Sequence, residues 1–194
     1  TIRTSFILLA YKLSAKILVV SDYAKVEKWN LLDASAVIVV GAVDDDICIK
    51  VNESLKNSPY RAALNSKKII SVSRLSKEKN LDLLILAFGK SNFKNEGYTL
   101  ELYGVGKESN RLKQIISESG LDDCVRLCGF LPEKDLYNKL CEADIFVNLQ
   151  YVDYNITVFE AFACNCIVVT TSINYVPDSK LFANRCVKVA SYAL

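Results

Sequence analysis

From Lys67 onward the chain alternates short, unbroken apolar runs with segments whose apolar residues recur every three or four positions. This alternation restricts the fold more than any other feature. Six runs read as strands: Lys67–Ser73, Tyr98–Tyr103, Cys124–Cys128, Asp144–Leu149, Cys166–Thr171 and Cys186–Val189. Several are apolar throughout rather than every second residue, as expected of strands covered on both faces in a parallel sheet. The segments between the first five read as helices: Asn80–Gly89, Glu108–Ser119, Glu133–Ala143 and Thr157–Cys164. Leu112, Ile115 and Ile116 share one face of the second, and Leu136, Leu140 and Ala143 one face of the third. Strands alternating with helices imply right-handed βαβ units, hence an α/β fold built on a doubly wound parallel sheet. The expected strand order is 3-2-1-4-5-6.

The first third of the chain reads differently. Ala15–Val20 and Ala36–Val40 suit two further strands, with a helix over Asp22–Leu32 between them. Residues 41–66 are polar, carry the acidic run Asp44-Asp45-Asp46 and the turn signal Asn57-Ser58-Pro59, and read as a linker. The expected organisation is therefore the end of a second α/β domain in residues 1–40, a linker in 41–66 and a ligand-binding domain in 67–194. The chain begins at Thr1 and contains no methionine, so it is expected to be part of a longer protein, with the last domain truncated at its C-terminus.

Composition excludes some functions. With 24 basic and 22 acidic residues the net charge is only +2, too balanced for a nucleic-acid partner. The apolar run near the N-terminus is broken by Lys12 and Lys16, too early for a membrane span of about 20 residues. The seven cysteines are odd in number, mostly embedded in apolar runs, and suit small buried hydrophobes in a reducing cytoplasm. Cys124, Cys128, Cys164 and Cys166 lack zinc-knuckle spacing and the chain has no histidine, so no metal site is expected.

In a doubly wound sheet, ligands bind where the strand order reverses, outside the carboxyl ends of the first and fourth strands. Strand one is followed by Arg74-Leu75-Ser76-Lys77-Glu78-Lys79, which puts two or three cations on one lip of that crevice. Strand four is followed by residues 150–155 and a helix N-terminus, whose unpaired N–H groups and positive dipole end favour an anion. Together these suit a diphosphate, although solvated loop charges are the alternative for Arg74, Lys77 and Lys79. The Gly104-Val105-Gly106 turn after strand two is a weaker signal, because a turn alone explains it.

These segments also resemble a family. The run Ile69–Asn80 resembles the "GRL..EKG" start of the donor domain in family 4 (group 1) retaining glycosyltransferases of the GT-B fold. Leu102–Gly106 resembles their "VGDG" turn, Leu127–Leu131 their "FLGF" segment and Phe159–Asn165 their "LEAMACG" helix. Upstream, Ile17–Asp22 is similar to "IIVVSE" and Ile38–Asp44 to the "VIPNGVD" linker. The matched segments are in family order along nearly the whole chain.

The resemblance implies an enzyme that moves a hexose from a nucleoside diphosphate sugar to an acceptor, with retention at the anomeric carbon. Arg74 and Lys79 would hold the diphosphate, helped by the N–H groups at Asn155, Ile156, Thr157 and Val158. Glu160 would bind the donor ribose, and Gly104, Gly129 and Phe130 would line the donor site. The cations stand where other transferases use a divalent metal, so no metal and no cofactor beyond the donor itself is implied. The family carries a further glutamate for the donor sugar, separated from the ribose glutamate by seven residues. Counting back from Glu160 lands on Val152, and the nearest acid is Asp153, one residue short. Asp153 is expected to face the crevice in its place. Ser73 and Asn80 replace family glycines. A donor-type binding module with impaired catalysis and a GT-B nucleotide-sugar epimerase are the alternatives. The acceptor, whether glycan or lipid, stays open, as does association of a cytoplasmic protein with a membrane surface.

Overall fold

A computed structural model describes residues 17–19, 36–38, 66–150, 155–171 and 186–189. The chain divides into two compact units, Thr1–Ala42 and Val43–Leu194. In the first, β1 (Ile17–Val19) pairs in parallel with β2 (Ala36–Ile38), Ile17 opposite Ala36. The expected helix over Asp22–Leu32 and the linker up to residue 65 lie outside the described residues.

The second unit is built on a six-stranded sheet. Its strands are β3 (Lys68–Val72), β4 (Thr99–Tyr103), β5 (Val125–Gly129), β6 (Ile145–Asn148), β7 (Ile167–Thr171) and β8 (Cys186–Val189). All pair in parallel, in the order β5-β4-β3-β6-β7-β8. This is the expected 3-2-1-4-5-6 order, reversing between β3 and β6. The helices are α1 (Leu81–Lys90), α2 (Ser109–Glu118), α3 (Glu133–Glu142) and α4 (Ile156–Ala163), with a 3₁₀ turn at Lys77–Lys79.

The apolar runs are continuous because both faces of the sheet are covered. On one face Ile69, Leu100, Leu102, Val125, Ile145 and Val147 pack with Leu84, Ile85 and Phe88 of α1 and with Leu112 and Ile116 of α2. On the other, Ile70, Phe146 and Val168 pack with Leu140 of α3 and with Val158, Ala161 and Phe162 of α4. Neighbours in sequence, such as Ile69 and Ile70, enter opposite cores, as strand alternation requires. Helix α1 is apolar on more than its buried face: Leu83 and Leu86 are exposed.

Cys124, Cys128, Cys141, Cys164 and Cys166 are free thiols; Cys124, Cys164 and Cys166 are buried, Cys128 and Cys141 exposed. Among the described residues no helix is long and apolar enough to cross a membrane. Among the same residues no cluster of three or more His, Cys, Asp or Glu could hold a metal ion.

Candidate functional site

Parallel strands bring all their carboxyl ends to one edge. Val72 of β3 lies opposite Tyr103 of β4, which lies opposite Gly129 of β5. The segments that follow β3, β4, β5 and β6 therefore leave the sheet together, and every described residue expected at the site is in one of them, at the end of β5 (Gly129) or in α4.

The segment after β3 is anchored at both ends. At its start it is bonded to the β4–α2 turn: Ser73 N–H donates to Tyr103 O (3.0 Å), Leu75 N–H to Val105 O (3.0 Å) and Glu108 N–H to Leu75 O (3.0 Å). Arg74 is carried by this zipped stretch, exposed, and its guanidinium makes no hydrogen bond or ion pair to another described residue. The close approach explains the glycines of the turn. A Cβ on Gly104 would stand 1.8 Å from Ser73 O, one on Gly106 2.2 Å from Leu75 O, and Gly104 has φ +138°. Backbone packing thus demands Gly104, whatever binds nearby.

At its other end the segment is bonded across the switch point. The Lys79 ammonium donates to Gln150 Oε1, and Asn80 Nδ2 donates to Leu149 O (2.8 Å). Asn80 has φ +52°, in the left-handed region that glycine fills at little cost and asparagine tolerates. Asparagine thus holds a left-handed position where the resembled motif has glycine, and its side chain adds a link to the end of β6. Burial lowers the Lys79 pKa from the ordinary lysine value; Glu78 opposes that shift and Arg74 reinforces it.

Across the crevice, Asn155 caps α4, its Oδ1 accepting the Thr157 N–H (3.0 Å), while the Val158 N–H donates to Asn155 O (3.1 Å). Of the four N–H groups expected to meet an anion, Thr157 and Val158 are thus occupied within the cap. Those of Asn155 and Ile156 make no hydrogen bond to another described residue, and the dipole end of the helix remains. Ile156 is exposed.

Glu160 is expected in the first turn of its helix. It is instead the fifth residue of α4, because the helix begins at Ile156. It is not a solvated surface acid either, being only 9% exposed. Tyr137 on α3 donates its hydroxyl to Glu160 Oε1 (2.9 Å), and the Thr157 side chain hydrogen-bonds the same carboxyl. Burial raises the Glu160 pKa above the ordinary glutamate value, with Glu133 adding to the shift and the two hydrogen bonds opposing it.

Gly129 ends β5 at φ +76°, its carbonyl accepting the Gly104 N–H (2.7 Å). Phe130, next in the chain, is 73% exposed. A bare aromatic ring at the carboxyl edge of the sheet can stack on a planar group. Asp153 and Val152 lie outside the described residues.

Tyr137 and Gln150 are absent from the sequence expectations. Gln150 follows β6 at the switch point, so the topological rule that singled out Arg74 and Lys79 also reaches it. For Tyr137 the only signal was a hydroxyl on the inner side of a helix, which needs a partner.

A family model of "Glycosyl transferases group 1" matches residues 56–179. The chain belongs to the group 1 glycosyltransferases. Among curated members, the amylovoran biosynthesis glycosyltransferase AmsK of Erwinia amylovora is 31% identical over 130 residues, 63% of this chain and 32% of AmsK. The chain spans about a third of the length of such relatives. Its fold is that of GT-B glycosyltransferases. HepE of Anabaena, crystallised with UDP and glucose, superposes with a TM-score of 0.68 at 18% identity, over 86% of this chain and 46% of HepE. The pneumococcal O-GlcNAc transferase GtfA, crystallised with UDP and GlcNAc, gives 0.62 at 22% identity, over 81% of this chain and 30% of GtfA.

Proposed function

We propose that residues 67–194 form the donor half of a retaining, metal-independent glycosyltransferase that transfers a hexose from a nucleoside diphosphate sugar. The observation that carries this reading is the convergence, at the carboxyl edge of β3 and β6, of Arg74, Lys79, the N-terminus of α4 and the buried Glu160. Cations and a helix dipole suit the two phosphates. A carboxylate fixed by Tyr137 suits the paired hydroxyls of a ribose, and exposed Phe130 suits a base. The UDP bound by HepE and GtfA supports the same class of ligand.

In the proposed reaction the bond between the anomeric carbon and the diphosphate oxygen breaks while an acceptor hydroxyl oxygen bonds that carbon. The departing diphosphate takes the electron pair, and the acceptor's proton leaves with it or to solvent. Arg74 and Lys79 would stabilise the charge that accumulates on the leaving group, the task a divalent metal performs elsewhere. Asp153 would accept from hydroxyls of the sugar, and the acceptor would come from a domain joined through residues 41–66. A second reading, a donor-type binding module without transfer, is favoured by Val152 at the place of the first family acid.

A thermal-shift panel of UDP, GDP, ADP, their sugars and the free nucleosides tests the binding step. One diphosphate series is expected to raise the melting temperature more than its nucleoside, since a ligand of the native state stabilises it by mass action. Arg74→Ala and Lys79→Ala are each expected to remove most of that diphosphate increment, on the order of tenfold in affinity, and to leave nucleoside binding nearly unchanged. Equal losses for both ligands would move the diphosphate away from these cations.

A further inference from the structure

The bond from Lys79 to Gln150 crosses the switch point, and Gln150 is built to be immobile. It is only 6% exposed. Its N–H donates to Asn148 Oδ1 (3.2 Å) and its carbonyl accepts from Thr171 Oγ1 (3.0 Å). The residue before it is tied to Asn80 through Leu149 O (2.8 Å). The backbone of Leu149 and Gln150 is thus held by β6, β7 and the β3–α1 segment at once, and the Gln150 side chain leaves that fixed backbone buried, with its amide oxygen on the Lys79 ammonium.

A lysine carries its charge on a flexible four-carbon stem, and immobilising it costs rotamer entropy. A fixed acceptor removes part of that cost before a ligand arrives. The nature of the acceptor also matters. A carboxylate at this place would form an ion pair and cancel the charge, whereas an amide oxygen takes one of the three ammonium protons and leaves the net charge intact. Among the described residues the charged groups that act on Lys79 are Glu78 and Arg74, both in its own segment; from the end of β6 it meets the neutral Gln150.

We propose that Gln150 is the positioning residue for Lys79, a neutral and immobile amide that fixes the ammonium at the end of β6 while keeping its full charge for a diphosphate. The inference rests on the diphosphate reading of the crevice. It also gives the two cations separate supports: Arg74 in the stretch bonded to the β4–α2 turn, Lys79 at the end of β6.

Two measurements on the whole chain test it. The first is NMR of the lysine side chains, following order and titration of each ammonium. In the wild type Lys79 is expected to be more ordered than the exposed Lys77, and this comparison needs no variant. In Gln150→Glu, Lys79 should titrate at higher pH than in the wild type, and in Gln150→Leu it should lose its order. A purely structural role for Gln150 would change stability and leave the Lys79 titration where it was. The second is calorimetry with inorganic pyrophosphate, which needs no knowledge of the base. Gln150→Glu is expected to weaken pyrophosphate on the order of tenfold, and Gln150→Leu by a smaller factor. A Lys79 as mobile as Lys77, or one whose titration ignores Gln150→Glu, overturns the positioning role. If Lys79 responds as stated but wild-type protein binds neither pyrophosphate nor any nucleoside diphosphate, the diphosphate reading fails, and the proposed purpose of Gln150 with it.

Discussion

Glu160 couples protonation to folding. Its pKa is raised in the folded chain, chiefly by burial, so the native state holds the proton more tightly than the unfolded chain does. The contribution to stability is therefore fully present below the unfolded glutamate pKa and is lost as pH rises through the folded one. Denaturant unfolding of the wild type and Glu160→Gln, at about pH 4 and about pH 7, should show the wild type losing stability relative to the variant as pH rises. A constant difference would mean that the carboxyl titrates normally. Gly104 makes a second prediction at this scale. Any side chain there meets the Ser73 carbonyl at 1.8 Å with φ at +138°. Gly104→Ala should cost roughly 2–4 kcal/mol, read from the shift of the denaturation midpoint. A neutral result would show that the two turns are not zipped together.

At the scale of elements, the 3₁₀ turn and α1 meet at Asn80, which ends one and begins the other. Its left-handed backbone and its bond to Leu149 are separable by substitution. Asn80→Ala adds conformational strain and loses the bond, and should destabilise by about 1–3 kcal/mol. Asn80→Gly relieves the backbone while losing the same bond, and should cost less. The reverse order, measured by thermal unfolding, would contradict the left-handed assignment. Element boundaries follow from the same local chemistry. The first strand of the second unit was expected from Lys67, but Lys67 has φ +53° and its N–H is taken by Asp144 Oδ2 (2.7 Å), so β3 starts at Lys68. Neither fact has a local signature. The helix of Glu160 starts one residue before the expected Thr157, because Asn155 rather than a later residue caps it.

Across the whole molecule, the fold was legible because burial on both faces of a parallel sheet leaves unbroken apolar runs, such as the four buried residues of β6. Strand order followed from the alternation with helices. The placement of Arg74 and Lys79 followed from that order, since the crevice is a property of topology. What could not be read were partners distant in sequence. Tyr137 and Glu160 are 23 residues apart, Lys79 and Gln150 are 71, and no periodicity connects either pair. The reason for Gly104 was also hidden, since a glycine that admits a neighbouring backbone and one that admits a ligand look alike in sequence. The central claim, that a nucleoside diphosphate lies across the carboxyl ends of β3 and β6, is tested most directly by mapping backbone amide shifts during a titration. With the diphosphate that binds, shifts should concentrate at Arg74–Asn80, Gly104–Gly106, Phe130 and Asn155–Glu160. Shifts confined to the opposite edge of the sheet, near Lys67 and Asp144, or to the exposed side of α1, would contradict it.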